Sequence, residues 1–552
     1  MRVLKLCIIA VGLMMPSWLL ANDIQVSSAT LTGQNVSAGT NNAANFTMVR
    51  FDLKWSNSWR VTTGPTNYDA AWVFLKFRIE GGTGCTAGNW THGTLSTTNA
   101  NHSITTDNGT PGSINATADG KGAFLFRSGP GTGNINWQQV LLRWNYGADG
   151  VLDACNVSVK VYAVEMVYVP QGSFFIGDGS SGSVTNGRFS AGSTAAAFQV
   201  TSEGALTLGG GAVGSVGNNN NGGESGPQSD WNNATSVTLP AAYPKGFLAF
   251  YAMKYEISQE QYVEFLNVLT STQQIARAAM TSSGKFWNNG TTPTVRNGVK
   301  CTTYPAGATP GVFVCDLNND GTANGTSDGQ NIAMQNLNSQ DILAYLDWSG
   351  LRMMTEFEYE KSGRGTLPSV AYEYAWGNAT LYATSYNPVI NSGAGNELPT
   401  SPSTTVGNAN YSTTGPGGPM RVGIFATATS SRVTAGAGYY GIMELTGNVW
   451  EIVVNVGHAA GRVYTGVHGN GALTAAGFAD ADFWPGSNGN NTPATPNTTP
   501  NLGSTGYAGS MFRGGSHQET LYLRLSDRSH PGWNGLSNRD NRTGGRGVRT
   551  AP

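Results

Sequence analysis

The feature that most restricts this chain is a period-two alternation of apolar and polar residues from residue 22 to about residue 164. Ala71, Val73, Leu75, Phe77 and Ile79 share one side of an extended segment, with Lys76, Arg78 and Glu80 among the residues of the other. Val157, Val159, Val161 and Ala163 repeat the pattern. Successive side chains of a strand point to opposite faces, so this spacing buries one face and leaves the other polar. Clusters of Gly, Asn and Thr separate the runs. Together they predict an antiparallel β-sandwich over residues 22–164. His92 and His102 sit among Thr and Asn there and read as surface polar residues.

From about residue 165 the texture changes. A stretch dominated by Gly, Ser, Asn and Ala reads as one long loop, 178–236. Gly209, Gly211 and Gly214 match G-x-G-x-x-G inside it, but no helical pattern follows, so no dinucleotide site is expected. Ser258 and Gln261 form a capping box, and Tyr262, Phe265, Leu266 and Leu269 follow at helical spacing. A second helix is expected near Asn338, with Ile342, Tyr345 and Leu346 on one face, and a short third after Thr355 and Glu358. Few helices among many loops and short strands predict an α+β chain. Glycine, 75 of 552 residues, stands near twice the usual ~7%, which agrees with a loop-rich fold. The net charge is −2 and no basic run exceeds two residues, which excludes nucleic-acid binding through a charge footprint.

Residues 1–21, MRVLKLCIIAVGLMMPSWLLA, place Arg2 and Lys5 before an apolar stretch that ends at Ala21. This is a secretory signal pattern, too short for a comfortable membrane span, and it predicts a secreted, cell-surface or periplasmic protein. No later window is apolar enough to span a membrane. Four cysteines remain, and an even number in an exported chain predicts disulfides. Their order favours Cys85–Cys155 and Cys301–Cys315, with free thiols or a metal site as the alternative.

The motifs of the second part then fall in a recognisable order: MVYVPQGSFFIGDG at 166–179, FYAMKYEISQEQYVEFLN at 250–267, DILAYLDWSGLRMMTEFEYEKSGRG at 341–365 and YAWGN at 374–378. GYYGIMELTGNVWE at 438–451, FRGGS at 512–516, RLSDRS at 524–529 and DNRTGGRGVR at 540–549 follow. This order resembles the formylglycine-generating enzyme, or sulfatase-modifying-factor, family. The resemblance covers residues 165–552 and implies a C-type-lectin-like fold. It also implies a copper-binding cysteine pair shortly after RGGS, but the matching positions hold Glu519 and Arg524, and no cysteine follows Cys315. A carboxylate and a guanidinium do not hold Cu(I), so no copper and no formylglycine-generating activity are expected.

The resemblance further implies calcium in the loop leading into GNVWE. Glu444 would supply a side-chain ligand, and Leu445, Gly447 and Val449 backbone carbonyls. The alternative is a tight turn that fixes Trp450 in the core. A second family calcium site would use Asn410 and Tyr411, but the expected downstream aspartate is missing. Independently of the family, Asp316, Asn318, Asp320 and Gly321 match the first six positions of a calcium loop, D-x-N-x-D-G, with Ser327 at the twelfth position and Asp328 one later. An Asx turn is the alternative.

His517, Glu519, Tyr522, His530, Trp533 and Asn538 are the candidate ligand-binding residues near the C-terminus. No nucleophilic or metalloprotease motif is present. The expected function is an exported, non-catalytic surface protein that binds an extracellular ligand or assembles with itself as a sheath, layer, filament or adhesin. The alternatives are an exported oxidoreductase of the same family, and a retroelement-diversified receptor that is variable at 517–523, 530–538 and 543–546.

Overall fold

The computed structural model describes residues 23–106, 109–180, 187–218, 235–412, 414–485, 509–528 and 538–552. The signal-like segment, His530 and Trp533 lie outside the described residues.

The alternating segment folds as two facing antiparallel sheets. One has four strands in the order Gln25–Asn35, Phe46–Arg60, Gly131–Trp144 and Ser103–Thr106. The other runs Gly112–Ala116, Ala123–Arg127, Asp69–Gly82, Cys155–Val169, Phe250–Met253 and Val548–Thr550. Val49, Phe51, Leu53, Trp55, Trp137 and Trp144 from the first sheet meet Ala71, Val73, Leu75 and Phe77 from the second. Cys85 and Cys155 are disulfide-bonded, with Cα atoms 5.5 Å apart.

The expected division at 164/165 falls inside the Cys155–Val169 strand. Its first part pairs with Asp69–Gly82, and its end also pairs with Phe250–Met253, Met166 lying opposite Met253. One sheet therefore runs through both halves of the chain.

The opposite face of Asp69–Gly82 is also buried, which corrects the reading of a polar outer face. Ala70, Trp72 and Phe74 pack into the core of the second half, Phe74 edge-on to Trp348 at 5.2 Å. Lys76 is 1% exposed, and only Arg78 and Glu80, at the strand's end, reach solvent. The two histidines are buried as well. His92 Nε2 lies 2.6 Å from the carbonyl oxygen of Lys121, and His102 Nδ1 accepts from the Arg143 N–H at 3.0 Å. Burial lowers the proton affinity of both rings.

The expected helices form at Gln259–Leu266, Ser339–Trp348 and Glu356–Arg364, each with a reciprocal capping box at its start. A further helix, Ser271–Arg277, carries a Thr270–Gln273 capping box that the sequence reading passed over. The expected loop 178–236 contains Phe189–Ala191, Phe198–Val200, Leu206–Gly209 and Val216–Asn218. Three of these join Ser236–Leu239 in a four-stranded sheet. Strands this short bury one to three side chains each, such as Phe189, Leu208 and Val216, and leave no periodic signal among the glycines.

Cys301 and Cys315 are free and buried, which corrects the second expected disulfide. In the Val299–Thr303 and Val312–Cys315 pair, Cys301 faces Phe313 and Cys315 faces Val299. The two cysteines are diagonal neighbours, about 7–8 Å apart for that relation, beyond the Cα separation a disulfide takes.

The Glu356–Arg364 helix is buried all round although four of its nine residues are Glu or Arg. Glu356 accepts from Arg528 Nε at 2.8 Å, Glu358 from Arg352 Nη2 at 2.6 Å, and Glu360 from Arg513 Nη2 at 2.8 Å and Arg364 Nη1 at 3.0 Å. Buried charges persist only when paired, so this network ties FRGGS and RLSDRS to one helix.

Candidate functional site

Three strands build the region where the family's cysteine pair would stand. Trp450–Val454 pairs antiparallel with Ser510–Arg513 and parallel with Thr543–Gly544. The chain leaving Arg513 turns at Gly514 and Gly515, both at positive φ, and carries His517, Glu519 and Tyr522 back over Trp450.

Glu519 is the hub. Its Oε1 accepts from Trp450 Nε1 and from Arg542 Nη1, each at 3.0 Å, and its Oε2 accepts from the Ser516 hydroxyl. Arg542 also grips Asp540 through Nε and Nη2, both at 2.8 Å. Burial works to raise the Asp540 carboxyl, yet the guanidinium fork holds it below its usual range. The Tyr522 ring lies 5.5 Å from Trp450. His517 is 3% exposed, its backbone N–H donates to the Asn448 carbonyl at 2.9 Å, and burial lowers its proton affinity. Arg524, at the second family position, sets its guanidinium 4.6 Å from the Tyr372 ring centre. Asn538 is exposed. Glu519 and Tyr522 thus share one wall with Trp450 and Arg542, while His517 lies beneath it.

The GNVWE loop lies next to this wall. Glu444, Gly447 and Asn448 all take positive φ, and a Cβ on Gly447 would stand 2.4 Å from the Asn410 carbonyl oxygen. Glu444 Oε1 accepts from the Gly423 N–H at 2.6 Å, and its Oε2 is buried without a donor. Asn410 Oδ1 is likewise buried and unpartnered, and both residues line one small cavity with Asn448 and Arg421. The Leu445 carbonyl accepts from the Tyr359 hydroxyl, the Gly447 N–H donates to the Gly514 carbonyl at 2.8 Å, and the Val449 N–H donates to Glu256 Oε1 at 3.1 Å.

Glu256 and Glu451 complete a buried carboxylate cluster with Glu444. Arg546 Nη2 meets Glu451 at 2.7 Å, and the Arg546 and Arg421 charges both act on Glu444. Three carboxylates face two guanidiniums, which leaves one negative charge for a proton or a cation. Burial pushes Glu444 up to about 7 and Glu256 well above its usual range. The unpartnered Glu444 and Asn410 oxygens fit a hard cation such as the calcium of the family. Glu256, Glu451 and Arg546 lie far apart in the sequence, so no spacing could have joined them. The pairing of Glu519 with Arg542 was equally hidden.

Asp316, Asn318 and Asp320 lie on a separate loop after the Val312–Cys315 strand.

A search of curated proteins finds no match to this chain. Residues 158–551, beginning within the shared Cys155–Val169 strand, match the family model described as the sulfatase-modifying factor enzyme 1-like domain. That match covers well over half of the chain and includes the wall around Glu519, the Glu444 loop and the buried helix that anchors both: the protein belongs to the sulfatase-modifying factor enzyme 1-like family.

Proposed function

We propose that this is an exported, non-catalytic member of the family that works at the cell surface by binding or assembly. The observation that carries this reading is Glu519. It stands where the family's first redox thiol belongs, and both its oxygens are committed to Trp450, Arg542 and Ser516. The second thiol position holds Arg524, packed on Tyr372. With no cysteine after Cys315, the thiol chemistry has no residue to perform it. The signal-like N-terminus and the Cys85–Cys155 bridge favour an oxidising, extracytoplasmic setting. A continuous sheet joining sandwich and family domain suits a rigid surface element. The rim beside Glu519, with Leu521 52% exposed and the Arg542 side chain 40% exposed, is the natural contact for a partner. Calcium bound by Glu444 and Asn410 would hold the loop beneath that rim.

The test has two parts. Incubation with a cysteine-containing peptide and copper is expected to yield no aldehyde above the metal-only background; turnover would overturn the reading. Light scattering after size exclusion, with calcium and then chelator, is expected to show an assembly that dissociates on chelation. A chelation-insensitive monomer would discard assembly and leave ligand binding.

A further inference from the structure

The loop after the Val312–Cys315 strand carries Asp316, Asn318, Asp320 and Asp328. Its backbone already closes on itself. The Leu317 N–H donates to the Asp328 carbonyl at 3.3 Å, the Asn324 N–H to the Cys315 carbonyl at 2.8 Å, and the Cys315 N–H to Asn324 Oδ1 at 2.9 Å. Gly321, at the sixth place, takes φ +85°, the conformation that the sharp turn of a calcium loop requires. The first and last carboxylates are thereby drawn to the same end of the loop.

A second observation is independent of the motif. Asp316 and Asp328 are 1% and 0% exposed, and each keeps a buried Oδ1 without any hydrogen-bond donor. A buried carboxylate oxygen left without a donor is costly, and a bound cation would satisfy it. Lys300 Nζ meets the other Asp316 oxygen at 2.6 Å and offsets one charge. Asp316, Asp320 and Asp328 therefore retain two negative charges between them.

We propose that residues 316–328 form a calcium site that is distinct from the Glu444 cavity, with Asp316, Asn318, Asp320 and Asp328 as its side-chain ligands. An oxygen-only set suits calcium, which accepts irregular coordination, better than magnesium, which demands a tighter octahedron. Among the described residues no three His, Cys, Asp or Glu side chains already surround one point. Asn318 Nδ2 and the Thr322 N–H hold Asp320 at 3.0 and 2.7 Å, and calcium draws that carboxylate inward. The site pins the loop to the adjoining Leu317–Gly329–Gly393 packing.

The purified chain, stripped with chelator, is titrated with calcium chloride by calorimetry up to ~5 mM, above the weak end of the range for extracellular calcium modules. The wild type is expected to bind a calcium ion that the double variant Asp316→Asn, Asp328→Asn binds at least about tenfold more weakly, while Glu444→Gln retains it. Unchanged stoichiometry and affinity in the double variant overturns the proposal, as does a wild type that binds no calcium. Should the variant not fold, hydrogen exchange on the wild type decides. Calcium is expected to protect peptides spanning 316–328, and identical exchange with and without calcium overturns the site.

Discussion

Lys76, on a strand whose alternation reads as polar on that side, places its Nζ 2.8 Å from the carbonyl oxygen of Trp348. A second carbonyl, of Gly471, accepts from the same ammonium at 2.7 Å. The sandwich is therefore locked to the C-terminal end of the Ser339–Trp348 helix, whose last carbonyls favour a cation. At an exposed position Lys→Glu would change stability by no more than about 0.5 kcal/mol. Here Lys76→Glu sets a carboxylate against two carbonyl oxygens near Asp347, and a loss above ~4 kcal/mol is expected. Denaturant unfolding measures it, and a loss under ~1 kcal/mol would sink the buried contact.

Glu360 accepts from both Arg513 and Arg364. Glu360→Gln keeps the shape and removes the charge, leaving Arg364 with Glu373 alone, Arg513 with Glu356 at 3.6 Å, and one buried positive charge of the network uncompensated. A loss of about 3–5 kcal/mol is expected in urea unfolding, because broken buried pairs leave an uncompensated charge.

Asp527 is 7% exposed, and burial pushes its carboxyl up to about 6. A raised carboxyl contributes stability that is fully present below its unfolded value near 3.9 and is lost as pH rises through about 6. Between pH 4 and pH 7 the wild type should therefore lose on the order of 2–3 kcal/mol more than Asp527→Asn. Parallel pH profiles of the two proteins would contradict this.

Gly447 holds φ +81° with the Asn410 carbonyl oxygen 2.4 Å from where a Cβ would stand. Gly447→Ala is expected to cost more than ~2 kcal/mol, from the strained conformation and the clash together. A melting temperature equal to the wild type would show that the loop relaxes freely.

Cys301 and Cys315 are free, and burial pushes Cys301 up to about 11 and Cys315 well above its usual range. Thiol titration of residues 22–552 without reductant should find no fast-reacting group in the native protein and two in denaturant. Four reactive thiols in denaturant would remove the Cys85–Cys155 bridge, and none would restore the second one.

The alternation of Ala71, Val73, Leu75 and Phe77, the helical signals at Ser258, Asn338 and Thr355, and the order of motifs from residue 166 onward were enough to recover the sandwich, three of the helices and the family. Those features are local, since period, cap and motif are set by near neighbours in the chain. What only the tertiary structure decided is which surfaces meet. Lys76, His92 and His102 look solvated by their neighbours in sequence, yet each is covered by elements remote in the chain. Cys301 and Cys315 look like a pair until the register of their strands sets them diagonally. Glu519 finds Arg542, and Glu256, Glu444 and Glu451 converge on Arg546, across separations that no periodicity spans. A polar side chain's role depends on the charge and solvent around it, and that environment exists only once distant segments have packed.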